Sequence, residues 1–236
     1  ALGDVARWWA EDLGHTPLPV PDAARQPMYS TWYAFHQTLD ADTLVAECER
    51  ARALGFETIT VDDGWQTLDS RRGYAHTGDW RPERLTDPRA LADRIHALGM
   101  KVLFWYSVPF VGDHAANHAR FEGKYLRRWE SQKCDVLDPR YPEVRAFIVS
   151  TYTNAVHDWN LDGLKLDFID FFTAQPDTKL TAEDGRDIAS VNEAVDRLMT
   201  DVIAGLRAIR PDILIEFRQA YVGPLMRKHG TMFRAA

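Results

Sequence analysis

The chain has 236 residues, of which 45% are hydrophobic and 27% charged, with a net charge of -7; this supports an ordinary folded core and excludes wholesale disorder. The acidic balance argues against a nucleic-acid binder, which shows a basic face, and no apolar run approaches the roughly 18 residues of a membrane span. Two cysteines, Cys48 and Cys134, are too few for a disulfide framework or a cysteine zinc site, and with no signal-peptide pattern the default expectation is a reducing, cytoplasmic compartment.

Residues 1–26 read as a preface: a short helix around Trp8 to Leu13, then an extended, proline-rich connector. The chain opens on Ala1 and closes on Met232 to Ala236 with no polar tail, so both ends are expected to be cuts. Met28 to Phe35 is the first β-rich run. A helix follows from about Asp40 to Leu54, capped by Asp40 or Asp42, with Gly55 just past its end and Leu44, Cys48, Ala51 and Leu54 at helical spacing. Thr58 to Val61 is the second strand and runs into Asp62-Asp63-Gly64-Trp65-Gln66. After a long loop, Asp87-Pro88 opens a helix with a stripe of Leu91, Ile95 and Leu98. Lys101 to Val108 is the third strand, and a long insertion spans 109–140. Pro142 opens a helix that carries Val144, Ile148, Tyr152 and Trp159. Gly163 to Ile169 is the fourth strand. A long helix with Val191, Val195, Leu198, Val202, Leu206 and Ile209 in register ends at Pro211. Ile213 to Arg218 is the fifth strand and Met232 to Ala236 the sixth.

Strands alternating with helices predict parallel strands joined by right-handed crossovers. No GxGxxG or Walker sequence supports a nucleotide-binding sheet. The charged residues gather instead at the C-terminal ends of the strands, where a (β/α)8 TIM-type barrel keeps its active site. The predicted class is therefore α/β, a (β/α)8 barrel. A complete one has eight strands in about 250 residues. Six are legible here, so the barrel is expected to be incomplete, with open edges that invite association into a homo-oligomer.

Alternation along each strand sorts the faces. Leu164, Leu166 and Phe168 are expected to pack under helices, leaving Lys165 and Asp167 on the barrel axis. Ile215 and Phe217 leave Glu216 and Arg218 on the axis. Ile59 and Val61 leave Thr60 and Asp62, and the third strand turns Trp105 and Ser107 inward. Such a mouth suits glycoside transfer. A sugar offers an apolar face to a Trp and hydroxyls to charged groups, and a close carboxylate stabilises or attacks the oxocarbenium-like state. Lys165 beside Asp167 is expected to lower its pKa.

Each feature also has a plainer reading. Asp62-Asp63-Gly64-Trp65 is also an Asp-capped turn, Lys165 and Asp167 a structural ion pair, Trp105 a core residue, and Glu216 with Arg218 a mutual pair. Asp170 reads as a helix cap or a solvated loop residue. His114 and His118 are spaced like zinc ligands on a helix, but they lie in a loop without a third ligand, so no metal site is expected.

Gly55-Phe56 before Asp62-Asp63-Gly64-Trp65-Gln66, then Gly78-Asp79-Trp80, Leu98-Gly99-Met100-Lys101 leading to Trp105 and Pro109, and Gly163-Leu164-Lys165-Leu166-Asp167 form an ordered set. The set resembles glycoside hydrolase family 36, the melibiase-type α-galactosidases and their raffinose-synthase relatives, from about Trp32 onward. The resemblance implies a retaining glycosidase acting on α-galactosides or related α-glycosides through a covalent intermediate, with no cofactor. It implies Asp167 as nucleophile and Lys165, Asp62 and Asp63 as sugar-binding groups, with Trp32, Trp80 and Trp105 bordering the sugar. Arg218 is a looser match, because Glu216-Phe217-Arg218-Gln219 stands where the family has a Cys- and Gly-rich stretch. The family's acid/base Asp follows the sixth strand; no residue up to Ala236 fills that role, so the chain by itself is expected to be inactive. The implied organisation is a connector from a preceding domain over 1–26 and a partial catalytic barrel over 27–236. The partner is then an oligosaccharide or glycoside, not nucleic acid or membrane. Two rivals remain: a metal-dependent barrel lyase or isomerase using Asp62, Asp167 and Glu216, and a non-catalytic sugar-binding fragment.

Overall fold

The computed structural model describes residues 1–235. Helix α1 (Leu2–Glu11) and an extended segment lead into strand β1 (Met28–Ser30), helix α2 (Trp32–Phe35), helix α3 (Ala41–Ala53) and strand β2 (Thr58–Val61). Helix α4 (Pro88–Ala97) precedes strand β3 (Lys101–Ser107). The insertion holds β4 (Phe110–Gly112), α5 (Ala116–Arg120), β5 (Tyr125–Trp129) and β6 (Cys134–Leu137). Then come α6 (Pro142–Trp159), β7 (Gly163–Asp167), α7 (Val191–Ile209), β8 (Leu214–Gln219), α8 (Pro224–Arg227) and β9 (Met232–Ala235).

The main sheet has six strands in the order β1-β2-β3-β7-β8-β9, every pair parallel. Helices α3, α4, α6 and α7 pack in that sequence along its outer face. This is the expected (β/α)8-type architecture, with β1 and β9 as open edges among the described residues. The helices start where the side chains dictate. Asp40 accepts from the Thr43 N–H and Asp87 from the Ala90 N–H, each satisfying an orphan donor of the first turn.

Between sheet and helices lies the core: Ile59, Val61, Val102, Phe104, Leu164, Leu166, Ile215 and Phe217 from the strands meet Leu44, Ile95, Ile148 and Leu198 from the helices. At the other ends of the strands, Asp162 accepts from His96 at 2.7 Å, the Val102 N–H at 2.9 Å and Arg210 at 3.1 Å, a cluster that ties three elements together away from the strand mouths.

Several expectations are corrected. The first strand stops at Ser30, and Trp32 opens a short helix instead of continuing the strand to Phe35. The fourth strand stops at Asp167. Phe168 adopts a left-handed conformation (φ 65°), which turns its ring into the mouth rather than under the helices. Leu54 and Ile209, assigned to buried stripes, are exposed at helix ends. The insertion is not irregular: β4, β6 and β5 form a small antiparallel sheet. Among the described residues no helix is long and apolar enough to cross a membrane.

Candidate active site

Lateral register brings the inward residues together. Trp105, Lys165 and Glu216 lie side by side on β3, β7 and β8, and Ser107, Asp167 and Arg218 one layer nearer the mouth. Asp62 and Asp63 follow β2 directly. These groups surround a cleft of about 420 Å³ at the C-terminal ends of the strands. Trp32, Asp62, Asp63, Trp105, Lys165, Asp167 and Arg218, all singled out in the sequence, line it. Tyr33, Tyr74, Phe168 and Arg234 line it too and carry no sequence signal beyond the inward alternation of Arg234 on the last strand.

Asp167 sits at the centre. The Trp105 indole N–H donates to its Oδ2 at 3.1 Å, and the Phe168 N–H donates to its Oδ1 at 3.0 Å. Lys165 Nζ lies 3.6 Å from Oδ2 and Arg218 3.5 Å from Oδ1. Burial pushes the Asp167 pKa up, against Lys165, the indole N–H and Arg218, which pull it down. The expected lowering by Lys165 is therefore present but outweighed by desolvation. Lys165 gives its closest contact to Asp62 instead, at 2.6 Å, with both side chains almost fully buried. The Ser30 hydroxyl also donates to Asp62, at 3.3 Å.

Asp63 accepts from the side-chain amides of Gln37 and Gln66, each at 2.7 Å. Burial still drives its pKa up to about 7. Glu216 lies beneath the cleft and pairs with Arg234 at 2.8 Å. The expected Glu216–Arg218 pair does not form, because Arg218 turns toward Asp167 and the neighbouring strand supplies another arginine.

Trp80, also expected to border the sugar, is not among the residues that line the cleft. Asp79 caps α5 through the Ala116 and Asn117 N–H groups, and Trp80, at φ 55°, packs behind the cleft among Trp65, Tyr106 and the edge of Trp105. Trp105 is nearly fully buried. It is a floor that aims an N–H at Asp167 rather than an open platform, and its own carbonyl is held by the Trp65 indole N–H at 2.9 Å.

Away from the cleft, Asp113, His118 and Asp135 converge closely enough for a metal ion. Arg128 already bonds both carboxylates, so a side-chain cation fills that position. His114 packs against His76 with the rings tilted by 44° and is not part of the group.

Residues 20–219 match the family model described as Melibiase. The α-galactosidase 2 of Pediococcus pentosaceus is 26% identical over 199 residues, 79% of this chain and 27% of that protein. The α-galactosidase AgaA of Geobacillus stearothermophilus is 25% identical over 178 residues, 71% of this chain and 24% of that protein. The "A type blood alpha-D-galactosamine galactosaminidase" of Flavonifractor plautii is 24% identical over 65% of this chain and 15% of its own length. The chain thus spans about a quarter or less of these relatives. The crystal structure of the Geobacillus enzyme superposes on all of this chain and 34% of its own, with a TM-score of 0.76 at 21% identity. A family match over most of the chain, on a sheet with the same fold as a solved α-galactosidase, places this protein in the Melibiase family.

Proposed function

We propose that this chain carries the nucleophile and much of the sugar-binding wall of a retaining glycosidase for α-galactosides. The observation that carries the reading is Asp167, held in the cleft by an indole N–H and faced by two cations. Cations and a directed N–H favour the carboxylate form that attacks an anomeric carbon. Asp62 and Asp63 face it as hydrogen-bond acceptors for hydroxyls, which is how a site tells one epimer from another. Structures of the Geobacillus relative in complex with raffinose and stachyose support oligosaccharides as substrates.

The metal-dependent alternative fits less well. The three acids it would use are each faced by a side-chain cation: Asp62 by Lys165, Asp167 by Arg218 and Glu216 by Arg234. Galactose titrated into the chain is expected to quench tryptophan fluorescence, because Trp32 and Trp105 border the cleft, and to bind more tightly than glucose. Exhaustive chelation is expected to leave that affinity unchanged. Equal affinity for the two sugars would remove the galactoside reading, and a loss on chelation reversed by a divalent ion would favour the metal-dependent one.

Retention also needs a carboxyl about 5 Å from the nucleophile to protonate the leaving oxygen. Asp62 is closed by Lys165 and Ser30, Asp63 by two amides, and Glu216 lies below the cleft on Arg234. None of them is assigned the donor role, so the 236-residue chain alone is expected to turn over unactivated α-galactosides at a negligible rate. Ordinary rates would pass the donor role to Asp63, whose pKa of about 7 suits a general acid, ahead of Glu216, which does not line the cleft.

A further inference from the structure

We propose that Gln37 and Gln66 are positioning residues, which lock the Asp63 carboxylate into one orientation and keep it an ionised acceptor for ligand hydroxyls. The inference rests on reading the cleft as an α-galactoside site.

The two amides cannot be turned around. Gln37 Nε2 donates to Asp63 Oδ2 and Gln66 Nε2 to Oδ1, each at 2.7 Å. The oxygen of each amide accepts a backbone N–H in turn: Gln37 from Arg72 at 2.6 Å and Gln66 from Gly64 at 3.0 Å. A backbone N–H can only donate, so flipping either amide would set donor against donor and acceptor against acceptor. The carboxylate is gripped on both oxygens, and Asp63 lines the cleft. Both glutamines are buried, at 1% and 4% exposure, where an unpaired amide would be costly.

The backbone is contorted to install Gln37. α2 ends at His36, a non-glycine residue at φ 47° and ψ -128°, and Arg72, which supplies the N–H, is at φ 58°. Such conformations persist only where the surroundings impose them. Gly64 is at φ 118°, and a Cβ there would lie 2.5 Å from Gln37 Cα. Any side chain at 64 would displace Gln37. Three unusual backbone positions thus converge on one polar side chain whose hydrogen bond into the site goes to Asp63.

The charged surroundings make the grip consequential. Asp62 adjoins Asp63 and raises its pKa, while Lys165 neutralises Asp62 from β7. Tyr33, Tyr74, Asp167, Arg218 and Arg234 are the other titratable groups lining the cleft, and His36 and Arg72 flank the approach of Gln37. Burial is the largest influence and raises the Asp63 pKa; the two amides are the main groups opposing it. Without one of them the carboxyl protonates at higher pH and ceases to be a pure acceptor.

The test is to follow Asp63 in the wild-type, Gln37→Met and Gln66→Met chains by carboxyl 13C NMR, assigned with Asp63→Asn. Galactose affinity is measured over the same pH range, and circular dichroism and melting check the fold. Each Met variant is expected to raise the Asp63 titration midpoint by about one pH unit, and the acid limb of galactose affinity is expected to move with it. An unmoved midpoint, whether affinity is unchanged or falls equally at every pH, would reduce the glutamines to packing and overturn the proposal. If the Met variants do not fold, Gln37→Glu keeps the acceptor for the Arg72 N–H but replaces a donor by a carboxyl, and the same upward shift is expected. If the midpoint moves as expected but wild-type chain binds no galactose at any pH, the grip on Asp63 stands and the α-galactoside reading of the cleft falls.

Discussion

A ring-fluorinated α-galactosyl fluoride is expected to label this chain with one fluorogalactosyl unit, on Asp167, and to leave Asp167→Ala unlabelled. Fluoride departs without a proton, so the experiment isolates the nucleophile from the acid that retention also needs. The ring fluorine destabilises the oxocarbenium-like state, which slows hydrolysis of the adduct and lets it accumulate. The carbon–fluorine bond at the anomeric centre breaks as the Asp167 carboxylate forms a glycosyl ester, and fluoride leaves with the electron pair. The expectation rests on the surroundings of Asp167. Trp105 and the Phe168 N–H fix its two oxygens, while Lys165 and Arg218 stabilise the charge it must carry. Only the carboxylate attacks, and burial raises its pKa; labelling is therefore expected to slow as pH falls through that raised value. Intact mass and peptide mapping read the result. A wild-type chain that stays unlabelled while binding galactose would support a sugar-binding module without chemistry, and an adduct on Asp167→Ala would move the nucleophile elsewhere.

What the sequence made legible follows the strand period. Lys165, Asp167, Glu216 and Arg218 alternate with apolar neighbours, and a period of two is enough to place them on one face. Lateral relations were not legible. Glu216 and Arg218 share a face of β8, which suggests a pair; the register of β9 instead sets Arg234 opposite Arg218, from where its side chain reaches diagonally back to Glu216 while Arg218 turns to Asp167. Nor does alternation show where a strand ends. Phe168 continues the apolar pattern of Leu164 and Leu166, yet a single left-handed residue turns it into the mouth. The insertion 109–140 hides its small sheet because β4 and β6 span only three and four residues, too short for a pattern to show. Its Phe110 and Trp129 pack around Tyr74 beside the cleft. Gln37 is the least legible of all. It belongs to no strand or helix stripe, and its importance arises from a turn at His36 that only the folded chain displays.

Lys165→Met is expected to destabilise the chain by about 3–5 kcal/mol, the cost of leaving one member of a buried ion pair alone, which for a domain of this size lowers Tm by roughly 6–20 °C. The Lys165 and Asp62 side chains are each 3% exposed and meet at 2.6 Å. Met has nearly the same length and shape, so the change removes charge and hydrogen bonding while leaving the packing in place. Asp62 would then keep only the long Ser30 contact and a bond from the Asp63 N–H, and Asp167 would lose one of its two cations. The sign of the effect can be separated from its size by adding Asp62→Asn. With both charges gone, the uncompensated carboxylate disappears and much of the stability is expected to return, a coupling that a double-mutant cycle measures directly. The same double variant is expected to bind galactose no better than Lys165→Met, because the stability lost with Lys165 reflects desolvated charge, whereas the proposed sugar site uses the charged pair itself. Lys165→Met melting within 2 °C of the wild type would mean that water reaches Asp62 in the folded chain, and the closed, low-dielectric floor ascribed to the cleft would have to be abandoned.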